Sequence, residues 1–191
     1  ATVLANLKKA GAILLGKLNM SEFALGDANS SASGAACNPW DLIRSPGTSS
    51  SGSGAATAAH MCATSLGEDT GCSIRVPASN CGLVGLRPTW LRVSRYGVDG
   101  ACLSIDTIGP VARTVDDCAI TIGAIAGYDP QDPYTRHIPV PDYRQALTGD
   151  ISGLKVGVVR EFLDPDVSEV TAQTRDAVLA AAEVLKSLGA Q

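Results

Sequence analysis

Gly67-Glu-Asp-Thr-Gly-Cys-Ser-Ile-Arg-Val-Pro77 gathers small residues, two adjacent carboxylates and a serine around one expected turn. Gly71, Cys72 and Ser73 let the backbone bend tightly into a helix expected over Ser73–Asn80, with Pro77 near its first turn. The first N–H groups of such a helix have no partner within it, so they form an outward-facing nest suited to an oxyanion. Ser73 stands on that turn, where its hydroxyl and the amides address the same carbonyl group. A serine is a poor nucleophile at neutral pH until a base takes its proton, so a relay is required. Upstream, Pro46-Gly-Thr-Ser-Ser-Ser-Gly-Ser-Gly54 delivers Ser49, Ser50, Ser51 and Ser53 into an Ala-rich helix expected from Gly52 to about Ser65. A flexible linker is the plain alternative, but linkers seldom feed a compact apolar helix directly. No Gly-Lys-Ser/Thr follows, which excludes a phosphate-binding P-loop. Neither segment contains the G-x-S-x-G elbow. His60 lies in the Ala-rich helix and His137 in a Pro-rich stretch, so both read as structural or surface residues.

Working outward, Ala1–Gly11 has helical periodicity, with Val3, Leu4, Leu7 and Ala10 on one face, and Ala12–Leu15 reads as a short strand. Asn19–Thr48 is polar and turn-rich. Val115–Ala126 reads as a buried helix, and Tyr128–Tyr143, with four prolines, as a linker over the surface. Leu154–Val159 suits a buried strand. Asp166-Val-Ser-Glu169 is a capping box for a helix carrying Ala177, Ala181, Val184, Leu185 and Leu188, with Gly189 as its stop. A strand followed by a helix normally leads into a parallel strand. The expected architecture is α/β: a mixed, largely parallel sheet flanked by helices. Neither end reads as a natural one, so residues 1–191 are expected to be an internal part of a single domain.

Composition narrows the classes. The chain has 191 residues with a formal net charge of −4, which offers no basic surface to nucleic acid and no polybasic membrane anchor. Its apolar runs fall short of the roughly 20 residues that span a bilayer. Six dispersed cysteines without a C-x-x-C read as free thiols in a cytoplasmic protein, not as a disulfide framework or a zinc site. No metal or organic cofactor is expected.

The two serine segments, at this separation, resemble the amidase signature family, whose pattern is a Gly-Gly-Ser-Ser-Gly-Gly loop followed by Asp-x-Gly-Gly-Ser-Ile-Arg. Other blocks are similar to the family's in the same order: Gly16-Lys-Leu-Asn-Met-Ser-Glu-Phe-Ala24, Asn38-Pro-Trp-Asp41, Cys81-Gly-Leu-Val-Gly-Leu-Arg-Pro-Thr89, Val93-Ser-Arg-Tyr-Gly97 and Asp106–Asp117. The resemblance implies amide hydrolysis through a serine acyl-enzyme. It makes Ser73 the nucleophile and Ser49 the bridging serine, whose peptide is cis in the family. The amides of Thr70, Gly71, Cys72 and Ser73 match the family's oxyanion hole. Ser50, Asp69 and Arg75 match supporting positions, with a plain salt bridge as the alternative for the last two. The family's third member is a neutral lysine in a segment before the serine loop. Lys17 belongs to a different block and is not assigned that role. Thr48, Ser51 and Cys72 stand where the pattern has glycines, and a positive φ at any of them would be strained.

Several functions remain open at this stage. A general amidase acting on a small-molecule amide is preferred over the glutaminase A subunit of a tRNA-dependent amidotransferase, which Ser94–Gly97 and Ser104–Pro110 also resemble. Val76 departs from that pattern, where glutamine usually follows Ile-Arg. The partners implied are a second copy of the chain or amidotransferase subunits, with no direct nucleic-acid or membrane contact. An aspartic-protease turn at Asp69–Ser73 is disfavoured because only one such motif is present. A catalytically dead scaffold of the same fold is the remaining alternative.

Overall fold

The computed structural model describes residues 1–26 and 28–191, in two compact units, Ala1–Ala146 and Leu147–Gln191. The first unit contains helices α1 (Thr2–Lys9), α2 (Ser51–Ala58), α3 (Arg75–Asn80) and α4 (Val115–Ile125), and strands β1 (Thr64–Asp69), β2 (Val84–Gly85) and β3 (Thr107–Ala112). The strands form one sheet in the order β1-β3-β2. Every residue of β3 is buried, as befits the central strand. Its alternating side chains supply two cores. Ile108 packs with Val3, Val93, Ile122 and Ile125, whereas Val111 packs with Ile74 and Ala78 of the serine-bearing side.

Helix α4 begins where its sequence dictates. Thr114 caps it by accepting from the Asp117 amide at 3.1 Å, and Asp116 and Asp117 place negative charge in the first turn. Helix α3 starts at Arg75 and carries Pro77 in its first turn, where the missing N–H costs nothing. The stretch after α4 is tied down by Arg92, which donates to the carbonyls of Ile138 and Pro139.

Five expectations are corrected. The sheet is antiparallel throughout, with Leu66 opposite Pro110 and Val84 opposite Ala112. The Ala-rich helix stops at Ala58. His60, at φ 59, then turns the chain into β1. Ala12–Leu15 forms no strand, because no neighbour pairs with it, and Ile13 is 85% exposed.

The fourth correction lies in the second unit, where α5 (Ala172–Ser187) is capped by Thr171, not by Asp166. Ser168 of the supposed capping box instead donates to the carbonyls of Phe162 and Asp164. A fifth correction is that Leu154–Val159 is neither a strand nor buried, with Leu154 53% and Val159 54% exposed. The Gln191 amide donates to the Leu154 carbonyl and the Val156 amide to the Gln191 carbonyl, each at 2.8 Å, which is the bonding pattern of a parallel ladder. Among the described residues the β1-β3-β2 sheet has no parallel pair.

Candidate functional site

The serine loop is seated by two close approaches. Gly47 has φ +126, and a Cβ there would lie 2.6 Å from the Pro77 backbone, so α3 presses directly on the loop. A Cβ on Gly52 would lie 2.4 Å from the Asn19 backbone. The Asn19 carbonyl accepts from the Gly52 amide at 3.0 Å, and the Ser49 carbonyl from the Ser21 amide at 3.3 Å. The Gly16–Ala24 block thus lies across the loop.

The serines then divide by what they touch. β1 is an edge strand, and its outer N–H and C=O groups need partners. Ser50 Oγ accepts from the Glu68 amide at 3.3 Å and donates to the Glu68 carbonyl, while Ser53 Oγ donates to the Leu66 carbonyl at 2.7 Å. These two hydroxyls bind α2 and its lead-in to the edge of β1. Ser49, 1% exposed, precedes them in the loop.

At the end of β1, Asp69 is wholly buried and organises the turn. Its carboxylate accepts from the Ile74 amide at 3.1 Å, from Arg75 Nε and Nη2 at 3.0 and 3.1 Å, and from Arg87 Nε at 3.2 Å. Burial pushes the Asp69 carboxyl upward. The hydrogen bonds from Arg75 and Ile74 outweigh it and hold the group below the usual carboxylate value. Arg75 also donates to the Gly71 carbonyl at 3.1 Å. The Gly71 carbonyl of the turn therefore faces the arginine. Among the described residues, none of the Thr70, Gly71, Cys72 and Ser73 amides donates a hydrogen bond within the chain.

Ser73 is 8% exposed. Its Oγ accepts a hydrogen bond from Thr48 Oγ1 at 3.3 Å, and among the described residues no hydrogen bond joins it to Ser49. Every described peptide bond is trans, including that of Ser49, so the expected cis bond is absent. Trans is the lower-energy form by roughly 2.5–4 kcal/mol for a non-proline residue. Thr48, Ser51 and Cys72 all have negative φ, so these departures from glycine carry no backbone strain. His60 is exposed and His137 stacks on Tyr128 at 3.5 Å, and neither bonds to a serine. All six cysteines are free.

Glu68, Asp106, Arg87 and the Thr48 hydroxyl escape sequence reasoning. Thr70 Oγ1 lies 2.9 Å from Glu68 Oε1 and 2.5 Å from Asp106 Oδ1. One hydroxyl hydrogen serves one carboxylate at a time. Burial, with Asp106 and Asp69 nearby, raises the Glu68 carboxyl to about 7 despite the Thr70 bond, so a proton on Glu68 completes the set. Adjacent carboxylates in a strand must point to opposite faces, which is the one signal that Glu68 and Asp69 differ in environment.

A turn of unpaired amides beside a buried serine, fixed by a carboxylate–arginine pair, can bind an oxyanion and present a nucleophile to it. The family model for Amidase matches residues 1–191. The chain belongs to the Amidase family. Its relatives include the glutamyl-tRNA(Gln) amidotransferase A subunit of Geobacter sulfurreducens, 53% identical over 195 residues, covering all of this chain and 39% of the relative. Among solved structures it is similar to the glutamyl-tRNA(Gln) amidotransferase A subunit of Thermotoga maritima, with a TM-score of 0.92 and 39% identity. That match covers the whole chain and 42% of the other. It is also similar to the peptide amidase of Stenotrophomonas maltophilia, with a TM-score of 0.87, 36% identity and 40% of that protein covered. The chain thus spans about two fifths of the length of these Amidase relatives. Among the described residues no helix is long and apolar enough to cross a membrane, and no group of three or more His, Cys, Asp or Glu side chains could hold a metal ion.

Proposed function

We propose that this chain carries the nucleophile and oxyanion hole of a serine-dependent amide-cleaving site, in the glutaminase A subunit of a tRNA-dependent amidotransferase. The observation that carries the reading is the Thr70–Ser73 turn, whose unpaired amides lie beside the Ser73 hydroxyl while Asp69 and Arg75 hold its other side. The choice of an amidotransferase rests on the relatives of that name, 53% identical over the whole chain, and reverses the preference drawn from the motifs alone. A free-standing amidase is the second reading, favoured by Val76 and by the peptide amidase neighbour.

In the proposed mechanism the substrate amide places its carbonyl oxygen among the Thr70–Ser73 amides. Ser73 Oγ attacks the carbonyl carbon as its proton leaves for a base, which the family resemblance makes a lysine in a preceding segment bridged by Ser49. Ser49 has to close on Ser73 for that relay, since no hydrogen bond joins them among the described residues. The carbon–nitrogen bond breaks when the proton returns to the nitrogen, ammonia leaves, and water hydrolyses the acyl-enzyme. Desolvation of the lysine disfavours its charged form and suits it to accept the proton near neutral pH. The test is ammonia release from glutamine and from simple amides by the full-length protein, with and without partner subunits. Turnover of glutamine alone, dependent on partners and abolished in Ser73→Ala, is expected. Turnover of simple amides without partners favours the free-standing amidase, and full activity in Ser73→Ala overturns both.

A further inference from the structure

The hydroxyl that reaches Ser73 is Thr48, one residue before the serine expected to do so. We infer that Thr48 is a catalytic hydroxyl of this site, donating to Ser73 Oγ and so governing how readily that oxygen carries negative charge. The inference rests on Ser73 being the nucleophile. The direction of the bond matters. Thr48 Oγ1 is the donor and Ser73 Oγ the acceptor, so the Ser73 hydrogen stays free to leave toward a base.

At 3.3 Å the bond is long for two hydroxyls, whose separation is ordinarily about 2.7–2.8 Å. A hydrogen bond to a charged oxygen is shorter and roughly twice as strong as one between neutral groups. The Thr48 bond therefore tightens as the Ser73 proton departs, and an interaction stronger in the transition state than in the ground state is what accelerates a reaction. The position is fixed by its neighbour, since Gly47 at φ +126 is clamped against Pro77 at the start of α3. Glycine, which stands at position 48 in the motif this loop resembles, has no donor to offer.

The test is the rate at which a fluorophosphonate labels the full-length enzyme. In that step the Ser73 Oγ–phosphorus bond forms, the phosphorus–fluorine bond breaks, fluoride leaves and the serine proton passes to the base. Thr48→Val keeps the shape and removes the donor, and is expected to slow labelling about tenfold. Thr48→Ser restores the donor and is expected to label within about twofold of the parent. Thr48→Ala, which adds no bulk, serves the same comparison should the valine variant fold poorly. Parental labelling in Thr48→Ala or Thr48→Val, or equal slowing in Thr48→Ser, overturns the inference. Ser73→Ala is the separate control: labelling that survives it refutes the nucleophile assignment itself, not the role of Thr48 alone.

Discussion

Replacing Glu68 by glutamine should stabilise the protein in alkaline solution and leave it unchanged in acid. The Glu68 carboxyl rises from an ordinary 4.5 to about 7, first because it is buried, and then because Asp106 and Asp69 lie near it. Oε2 has no hydrogen-bond partner among the described residues. Between 4.5 and about 7 the native state holds a proton that the unfolded chain has released. Stability therefore falls as pH rises through this window and is level above it. At about 1.36 kcal/mol per pH unit the gap corresponds to about 3.4 kcal/mol. Glu68 keeps partial contact with solvent, which screens the interaction, and halving the figure gives about 1.7 kcal/mol.

Glutamine has the shape of the protonated acid and a donor for Asp106, without the ionisation. For a chain of this size 1 kcal/mol moves Tm by about 2–4 °C, so Glu68→Gln should melt about 3–7 °C above the parent at pH 8. The difference should shrink to about 1 °C at pH 4.5, where the native parent holds the proton almost fully and the unfolded chain holds it half the time. Thermal melts of both proteins across this range decide the matter. A glutamine variant that melts no higher than the parent at pH 8 refutes the claim that Glu68 is protonated by its surroundings.

Asp69→Asn should cost about 3–5 kcal/mol, because it leaves Arg75 and Arg87 facing a buried amide. Denaturant titration at pH 7 measures this, and the loss should disappear well below pH 3.8, where the parent carboxyl is itself protonated. Gly52→Ala drives a Cβ to within 2.4 Å of the Asn19 backbone, which no rotamer change relieves, and should lower Tm by several degrees for about 1–3 kcal/mol. Gly123→Ala, in α4 with nothing within 4 Å of the added carbon, should instead raise Tm through a gain of about 0.5–1 kcal/mol in helix propensity.

Helix α1 was legible because its apolar positions recur at helical spacing, and α4 because Val115–Ala126 is a long, mostly apolar run; the Thr114 cap and acidic first turn that start α4 are seen in the structure. β1 was not legible. Thr64-Ser-Leu-Gly-Glu-Asp69 has a single large apolar side chain, and the strand exists because β3 pairs with one edge while hydroxyls from Ser50 and Ser53 satisfy the other. The strand reading of Ala12–Leu15 failed for the opposite reason, being a suitable sequence with no partner to pair with. At the start of α5 the box expected from Asp166 to Glu169 does not cap, since Ser168 within it bonds back to the preceding carbonyls and the helix begins later, at Thr171.

The same reasoning explains which parts of the site could be read. The turn Thr70–Ser73 was legible because backbone amides at a helix start are unpaired whatever the distant fold. The meeting of Glu68 with Asp106 was not, since only the register of β1 on β3, with Asp69 opposite Thr107, brings them together. A run of similar hydroxyls likewise does not say which one touches Ser73. The edge of β1 makes that division: it takes Ser50 and Ser53 as bonding partners, while Thr48, before them in the loop, is the hydroxyl that meets Ser73. The structural duty of two serines is thus the physical reason that the contact with Ser73 comes from another hydroxyl of the loop.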